Sequence, residues 1–452
     1  MNPSDGRRAT VADLPATAGG GASLAAPDAV SAGLARWRDA LYPRMRERPL
    51  PLVWTVDGLV PAATLWTGAR AWTAWLRARG VAPGERLVCA LPPGPGFVMV
   101  LVAALWEGLT FAPVPPGASL DAVREALGAR VVVATAGEGV VAPTPAGTPP
   151  DTGTLPPTPT ADPSPDVRFL LQTSGTTGAR RWIALSDANV WAVLDSHAPA
   201  HPLDGAVILS VLPWHHAFGL VIELLPALLA GAELLRDPSG GRDVASMLRL
   251  AREHPVTHLD AVPHTLRLLA ADDGGSGLLD RLQGGVVGGA PVDAALAARL
   301  ARTRLRVGYG QTEASPGIAL GDPGAWRAAT LGRPLGCEVR LDDDGVLAFR
   351  GPNACLGEWR DGALVRLDAE RWVRTGDLAR AEPDGTYTYE GRVADAFKLA
   401  NGRFVAAAAI EREVRARFPA VREALLSSPD GASLTLALTC DGDAPSAAML
   451  AE

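Results

Sequence analysis

Phe169-Leu170-Leu171-Gln172 leads into Thr173-Ser174-Gly175-Thr176-Thr177-Gly178, and Ala179-Arg180-Arg181 follows. The apolar run has strand character; what succeeds it is small, hydroxylated or glycine. Glycine lets a backbone turn sharply and come close to a ligand. Hydroxyls and successive backbone N–H groups together form a concavity suited to anions. The natural ligand of such a loop is a polyphosphate, with a flexible surface turn as the alternative. It is not a Walker loop, because no Gly-Lys-Ser/Thr follows at the required distance.

The chain around this loop reads as alternating strands and helices. Upstream, Ala29, Val30, Leu34, Trp37 and Leu41 fall near one helical face, and residues 53–60 predict a hairpin turning at Asp57-Gly58. A helix is expected over 62–79, a buried strand over 86–91, a helix over 97–108 and further strands at 111–114 and 131–134. Downstream come a strand at 207–212, a helix at 219–230 and strands at 258–262 and 285–288. That order argues for a parallel α/β sheet. Residues 330–390, with Asp-Gly turns at Asp344, Asp361 and Asp384, predict a small antiparallel β-barrel subdomain. A helix at 408–418 and a hairpin at 422–440 close the chain. The expected division is a disordered tail at 1–27, a large α/β domain of sandwiched sheets at 28–391 and a short α+β lobe at 392–452. Residues 137–165 form a Pro-rich connection within the large domain.

Composition narrows the function classes. The 452 residues suffice for two or three domains. Lys and Arg number 42 against 49 Asp and Glu, a balance of −7 with no basic run, which argues against nucleic acid as a partner. Cys89, Cys337, Cys355 and Cys440 lie far apart, without a Cys-x-x-Cys pair, which suits a reduced, cytoplasmic setting. No apolar stretch approaches the ~20 residues of a membrane span.

Further blocks follow the loop in order. They are Leu212-Pro213-Trp214-His215-His216-Ala217-Phe218-Gly219, Gly288-Gly289-Ala290-Pro291, Tyr309-Gly310-Gln311-Thr312-Glu313, Thr375-Gly376-Asp377 and Gly391-Arg392-Val393-Ala394-Asp395-Ala396-Phe397-Lys398. Singly they are bland: a Gly-Gly-Ala is usually a tight turn, a Thr-Gly-Asp likewise, and a lone histidine is usually structural. As an ordered set spanning about residues 48–428, they resemble the adenylate-forming (AMP-binding) superfamily of acyl- and aryl-CoA synthetases, luciferases and adenylation domains. The spelling Phe397-Lys398-Leu399-x-x-Gly402-x-x-Val405, one residue longer than the commonest form between Lys398 and Gly402, is similar to long-chain acyl-CoA synthetases and carboxylic acid reductases.

The resemblance implies an ATP- and Mg²⁺-dependent ligase. A carboxylate attacks the α-phosphorus, pyrophosphate leaves, and a thiol of CoA or of the phosphopantetheine on an acyl or peptidyl carrier protein displaces AMP. Thr173, Ser174, Gly175, Thr176, Thr177 and Gly178 would hold the β- and γ-phosphates, with Arg181 standing where the family usually has lysine. Thr312 would donate to the α-phosphate and Glu313 would hold Mg²⁺, a hard cation preferring oxygen. Tyr309, Gly310 and Gln311 would flank the adenine. Asp377 would accept from the ribose hydroxyls with Arg392 assisting; the alternatives are a turn cap for Asp377 and a surface ion pair for Arg392. His216 would stand at the mouth of the acyl site, and Gly288, Gly289 and Ala290 would line the channel. The acyl pocket is expected between residues 214–220, 262–264 and 314–317. Trp182 replaces a usual glycine, implying an altered closing motion of the loop.

Two departures bear on activity. Ala394 occupies the family's interdomain hinge position, usually Lys or Asp. The family runs on well past Glu411 to a catalytic lysine, whereas here Lys398 is the one lysine before the sequence stops at Glu452. Slowed adenylation, a non-catalytic or partner-dependent nucleotide- or acyl-binding relative, and an adenylating enzyme acting on another oxyanion are therefore kept as alternatives.

Overall fold

The computed structural model describes residues 27–46, 51–55, 58–135, 141–144, 147–150, 165–173, 181–395, 397–398, 404–405, 407–428, 433–442 and 445. The expected tail lies outside them apart from Pro27, as do the Asp57 side of the first hairpin turn and most of the Pro-rich connection.

A seven-stranded sheet carries the N-terminal half. Its order is Ala363–Arg366, Gly357–Arg360, Arg181–Leu185, Phe169–Thr173, Thr110–Pro113, Arg86–Cys89, Val131–Val133. The four strands 131–133, 86–89, 110–113 and 169–173 run parallel and the other three antiparallel. Side chains alternate across a strand, and here both faces are covered. Leu87, Cys89, Phe111, Phe169, Leu171, Ile183 and Leu185 feed one core, whereas Val88, Ala112, Leu170, Trp182 and Ala184 feed another. Burial on two sides is why these strands read as unbroken apolar runs.

Helices pack against the first face. Ala62–Ala78 buries Leu65, Ala69, Trp72 and Leu76, a stripe at helical spacing. Pro95–Glu107 is buried continuously from Phe97 to Leu105 and stops at Gly108, whose φ of 73° is the left-handed conformation of a glycine cap. Helix Asp187–His197 begins with a reciprocal capping box between Ser186 and Asn189. Its first residue, Asp187, accepts from Nε and Nη2 of buried Arg168 (2.8 and 2.9 Å) and from the indole N–H of Trp37 (2.5 Å). That cluster pins helix Pro27–Arg46 to the body.

A four-stranded sheet, Gly58–Pro61, Pro51–Thr55, Glu233–Arg236, Val207–Ser210, forms the other side of the first core. Residues 258–262 make single bridges, His258 to Ile208 and Gly284 and Ala261 to Val287, instead of a full strand. The helix expected at 219–230 is two pieces, a π-helix Phe218–Leu224 and an α-helix Leu225–Ala230. Pro226 has no N–H to offer the carbonyl four residues back and its ring presses on that carbonyl, so the wider turn precedes it.

The barrel expected at 330–390 is an open sheet. Eight strands run Val286–Val287, Arg306–Gly310, Gly317–Leu320, Thr330–Pro334, Tyr387–Arg392, Val373–Ala381, Val346–Arg350, Glu338–Leu341. Because Thr330–Pro334 pairs with Gly317–Leu320, the subdomain continues the main sheet and does not close on itself. The Asp361-Gly362 turn is also elsewhere than expected. Both residues have positive φ (50° and 78°), the geometry of a type I′ hairpin, but the hairpin 357–366 joins the seven-stranded sheet beside Arg181–Leu185. Helix Ala407–Arg417 and the hairpin Val421–Ser427/Thr435–Cys440 follow near the C-terminus. Among the described residues no helix is long and apolar enough to cross a membrane, and the four cysteines are free.

Candidate active site

Two neighbouring parallel strands, Val286–Val287 and Arg306–Gly310, run side by side with Val287 opposite Val307, the second continuing to Gly310. Past the first come Gly288, Gly289 and Ala290; past the second come Gln311 and a 3₁₀ turn, Thr312–Ala314. Ligands of α/β sheets bind beyond the carboxyl ends of strands. A cavity of about 200 Å³ lies there, walled by His216, Ala217, Phe218, Gly288, Gly289, Tyr309, Gly310, Gln311, Thr312, Pro316 and Gly317 among others. Ala290 is exposed just beyond the wall. Glycine is required at two of these positions by close approach. A Cβ on Gly310 would sit 1.7 Å from the Pro316 carbonyl oxygen, and one on Gly288 would sit 2.9 Å from that of Gly308.

Beside the cavity the Tyr309 hydroxyl donates to Asp377 Oδ2 (2.8 Å), and Arg392 Nε donates to Oδ1 (3.0 Å). The strands bearing Asp377 and Arg392 pair in a register that sets those two residues opposite each other. Burial, and then the charge of Asp377, push the Tyr309 phenol well above its ordinary value of 10. Thr375-Gly376-Asp377 is not the expected turn: it lies within the strand Val373–Ala381. Gly376 has φ 78°, and the Asp377 N–H donates to the side-chain Oγ1 of Thr375 (3.1 Å), while the Asp377 carboxylate faces Tyr309 and Arg392.

On the other side, Arg181 bridges two carboxylates. Nη2 reaches Glu313 (2.8 Å) and Nη1 reaches Glu358 (2.7 Å). Burial opposes ionisation of Glu358, but hydrogen bonds from Arg360 and Arg181 hold it below the ordinary glutamate value. Opposite Arg181 in the ladder is Thr173, whose buried hydroxyl has no hydrogen-bond partner among the described residues. Ser174, Gly175, Thr176, Thr177 and Gly178 lie outside the described residues, as does the Lys398 side chain. No cluster of three or more His, Cys, Asp or Glu able to hold a metal occurs among the described residues. A single carboxylate, Glu313, fits a magnesium ion that arrives on phosphate oxygens and keeps waters, the usual habit of that ion.

Some of the residues expected to wall an acyl pocket come together. His216, Ala217, Phe218, Pro316 and Gly317 line the cavity. Trp214 does not. It is fully buried and donates to Glu223 (2.9 Å). Residues 262–264 contribute no wall; Val262 stands behind Gly289. Trp182 is packed in the second core, opposite Trp359. His216 is held below the ordinary imidazole value by lost water, and His215 is lowered to about 4 by burial and by the nearby His216 and Arg236. Both rings are therefore neutral near pH 7. Contributors not singled out in the sequence include His197, Ile222, Gly308, Ala319 and Leu320 in the wall, and Glu358, which reaches Arg181. A lone histidine in a helix gives no signal, and Glu358 becomes a neighbour only through strand pairing.

The sequence profile of the family described as "AMP-binding enzyme" matches residues 63–358. The chain belongs to that family. Among its relatives, feruloyl-CoA synthase of Amycolatopsis sp is 28% identical over 386 residues, 78% of each chain. A long-chain-fatty-acid–CoA ligase of Yersinia pestis is 29% identical over 292 residues, 59% of this chain and 51% of that one. In fold, this AMP-binding enzyme is similar to the ATP-bound MatB of Rhodopseudomonas palustris. That likeness has a TM-score of 0.74 and 21% identity, over 91% of this chain and 90% of that one. Escherichia coli MenE with a bound analogue of OSB-AMS is similar at TM-score 0.71 and 21% identity, over 92% and 90%. The relatives are acid–CoA ligases by name, and an AMP-forming acid–CoA ligase is the class of enzyme they support.

Proposed function

We propose that this AMP-binding enzyme activates an acyl or aryl carboxylic acid with ATP and passes the acyl group to a thiol of CoA. The observation that carries the reading is the convergence on one cavity of Thr312, His216 and the glycine wall, flanked by the Tyr309–Asp377–Arg392 set and by Arg181–Glu313. This chemistry requires no covalently loaded enzyme nucleophile. A carboxylate oxygen of the substrate attacks the α-phosphorus, the bond to the bridging oxygen breaks, and pyrophosphate departs. The thiol sulfur then attacks the acyl carbon and AMP leaves.

Such chemistry depends on positioning and on meeting phosphate charge. Asp377 accepts from the ribose hydroxyls, exchanging one of its present donors for them, and Arg392 keeps the carboxylate ionised and aimed. Thr312 donates to the α-phosphate. Arg181 and the loop from Thr173 to Gly178 meet the outer phosphates, a planar fork standing in for the mobile point charge of lysine. When bound, magnesium would lower the phosphate charge, and Glu313 is the residue to hold it. Lys398 and the lobe 392–452, set off from the large domain 28–391, are assigned to the second half-reaction. Neutral His216 stands at the junction of carboxylate and thiol approach.

The test is direct. Purified protein with Mg-ATP and a panel of acyl and aryl acids should release pyrophosphate and yield acyl-AMP by mass spectrometry, and adding CoA should convert it to thioester. Thioester formation only with a phosphopantetheinylated carrier protein would move the acceptor from CoA to that protein. Nucleotide binding without acyl-AMP from any acid would overturn the reading.

A further inference from the structure

A second cavity, of about 610 Å³, lies behind the first. The two share His197, Ile222 and Val286. Pockets for small organic ligands commonly span ~300–1,000 Å³, so the first is small for a substantial acid and the second is not. The second runs between helix Asp187–His197 and the π-helical segment Phe218–Leu224, with Leu194, Leu203, Val221 and Leu229 among its walls. Its outer rim carries Asp39, Asp195 and Asp204 against Arg44, and Arg36 pairs with Asp195 (2.5 Å). Carboxylates there outnumber guanidiniums even with Arg36 counted.

The partition is built, not incidental. His197 Nδ1 lies 3.0 Å from the Val193 carbonyl oxygen. Ser196 Oγ lies at the same distance from Nδ1, 3.0 Å, and the two contacts hold the ring in one orientation. Its Cε1–Nε2 edge lies against Gly317, where a Cβ would come within 2.5 Å of Cε1 and 2.6 Å of Nε2. Burial lowers the ring's pKa to about 4, so the wall it presents is uncharged. Ile222 reaches the same point from the widened π turn.

We propose that the two cavities are the chambers of one acyl site, with His197 as its specificity-determining partition. The first takes the carboxylate end near Thr312, and the second takes the distal apolar body of a long or bulky monocarboxylic acid. The acidic rim turns away a second carboxylate. This rests on the acid-activating reading above and adds the class of acid.

The experiment compares pyrophosphate release with benzoate, dodecanoate and dodecanedioate for the full chain and for Leu229→Trp and Ala230→Phe, which fill the outer chamber. Circular dichroism and thermal unfolding check that each variant folds, and either folded variant suffices. In parallel, dodecanoate binding is titrated by calorimetry without ATP. Wild type should prefer dodecanoate to dodecanedioate. The filled variants should raise KM for dodecanoate roughly tenfold or more, what losing a couple of buried methylenes would do, with KM for benzoate unchanged. His197→Ala, which opens the partition, should narrow the gap between bulky and slender acids. Equal effects on benzoate and dodecanoate, or none on either, would overturn the two-chamber assignment while leaving acid activation standing. If no acid is activated but dodecanoate binds wild type and not the filled variants, the chamber holds and the acid-activating reading falls.

Discussion

Tyr309 and Asp377 stand 68 positions apart in sequence, yet the phenol of one donates to the carboxylate of the other at 2.8 Å. The contact joins the strand that leads into Thr312 to the strand that carries Asp377. Asp377→Ala should weaken ATP binding by about 1.5–3 kcal/mol, the range for hydrogen bonds to a charged group. Tyr309→Phe should cost about 0.5–1.5 kcal/mol, a neutral donor's share. Titration calorimetry reads both. Undiminished affinity in the alanine variant would remove Asp377 from the nucleotide site.

Arg181 is held by Glu313 and Glu358 before any phosphate arrives. Arg181→Ala should slow pyrophosphate exchange by about one to three orders of magnitude, by analogy with loss of one charge-stabilising donor, and Arg181→Lys should keep much of the rate. Wild-type exchange in the alanine variant would leave the side chain a purely structural clasp.

Asp187 is buried against Arg168 and Trp37. Deleting one partner of a buried pair strands the other charge, so Asp187→Ala should lower stability by about 3–5 kcal/mol. The urea midpoint gives the answer, and a loss under 1 kcal/mol would show that the pair is solvated in practice.

Glu223 is fully buried, with Oε1 accepting from Ser210 (2.6 Å) and Trp214 (2.9 Å) and Oε2 unpartnered among the described residues. Burial, and then Asp260, push its pKa to about 8 from an ordinary 4.5. Between those values the folded chain holds a proton that the unfolded chain has released. Its contribution to stability therefore falls as pH rises through that window, by at most about 1.4 kcal/mol per pH unit, and levels off above it. Glu223→Gln cannot titrate. Subtracting its stability–pH curve from that of wild type should leave this slope, and a flat difference would show that Glu223 is ionised in the fold.

The parts legible in the sequence were those set by local rules or by spelling. The strands at 86–91 and 131–134 declared themselves because both sheet faces are dry. Gly108, the expected last residue of the helix over 97–108, closes it as a left-handed cap. The blocks from His216 to Thr312 were readable from their order, and most of them line one cavity. Partnership at a distance was not legible. Asp361-Gly362 announced a hairpin but not its sheet, since turn chemistry is local and its neighbour Arg181–Leu185 is far off in sequence. His197 and Ile222 became site residues only when a π turn and a packed helix brought them together. Nothing in their own surroundings in the sequence says so.

The hairpin 357–366 also works as a strap. It leaves the β subdomain after Cys355, whose N–H is fastened to the Glu313 carbonyl at 2.8 Å, and is stitched into the ladder beside Arg181–Leu185. Asn189 tightens the same seam by giving both amide protons to the carbonyls of Pro352 and Ala354. The Arg181 side and the Glu313 side of the cavity are thus stitched into one continuous frame. If ATP binds between them as proposed, mutations along this seam should weaken its binding without touching it.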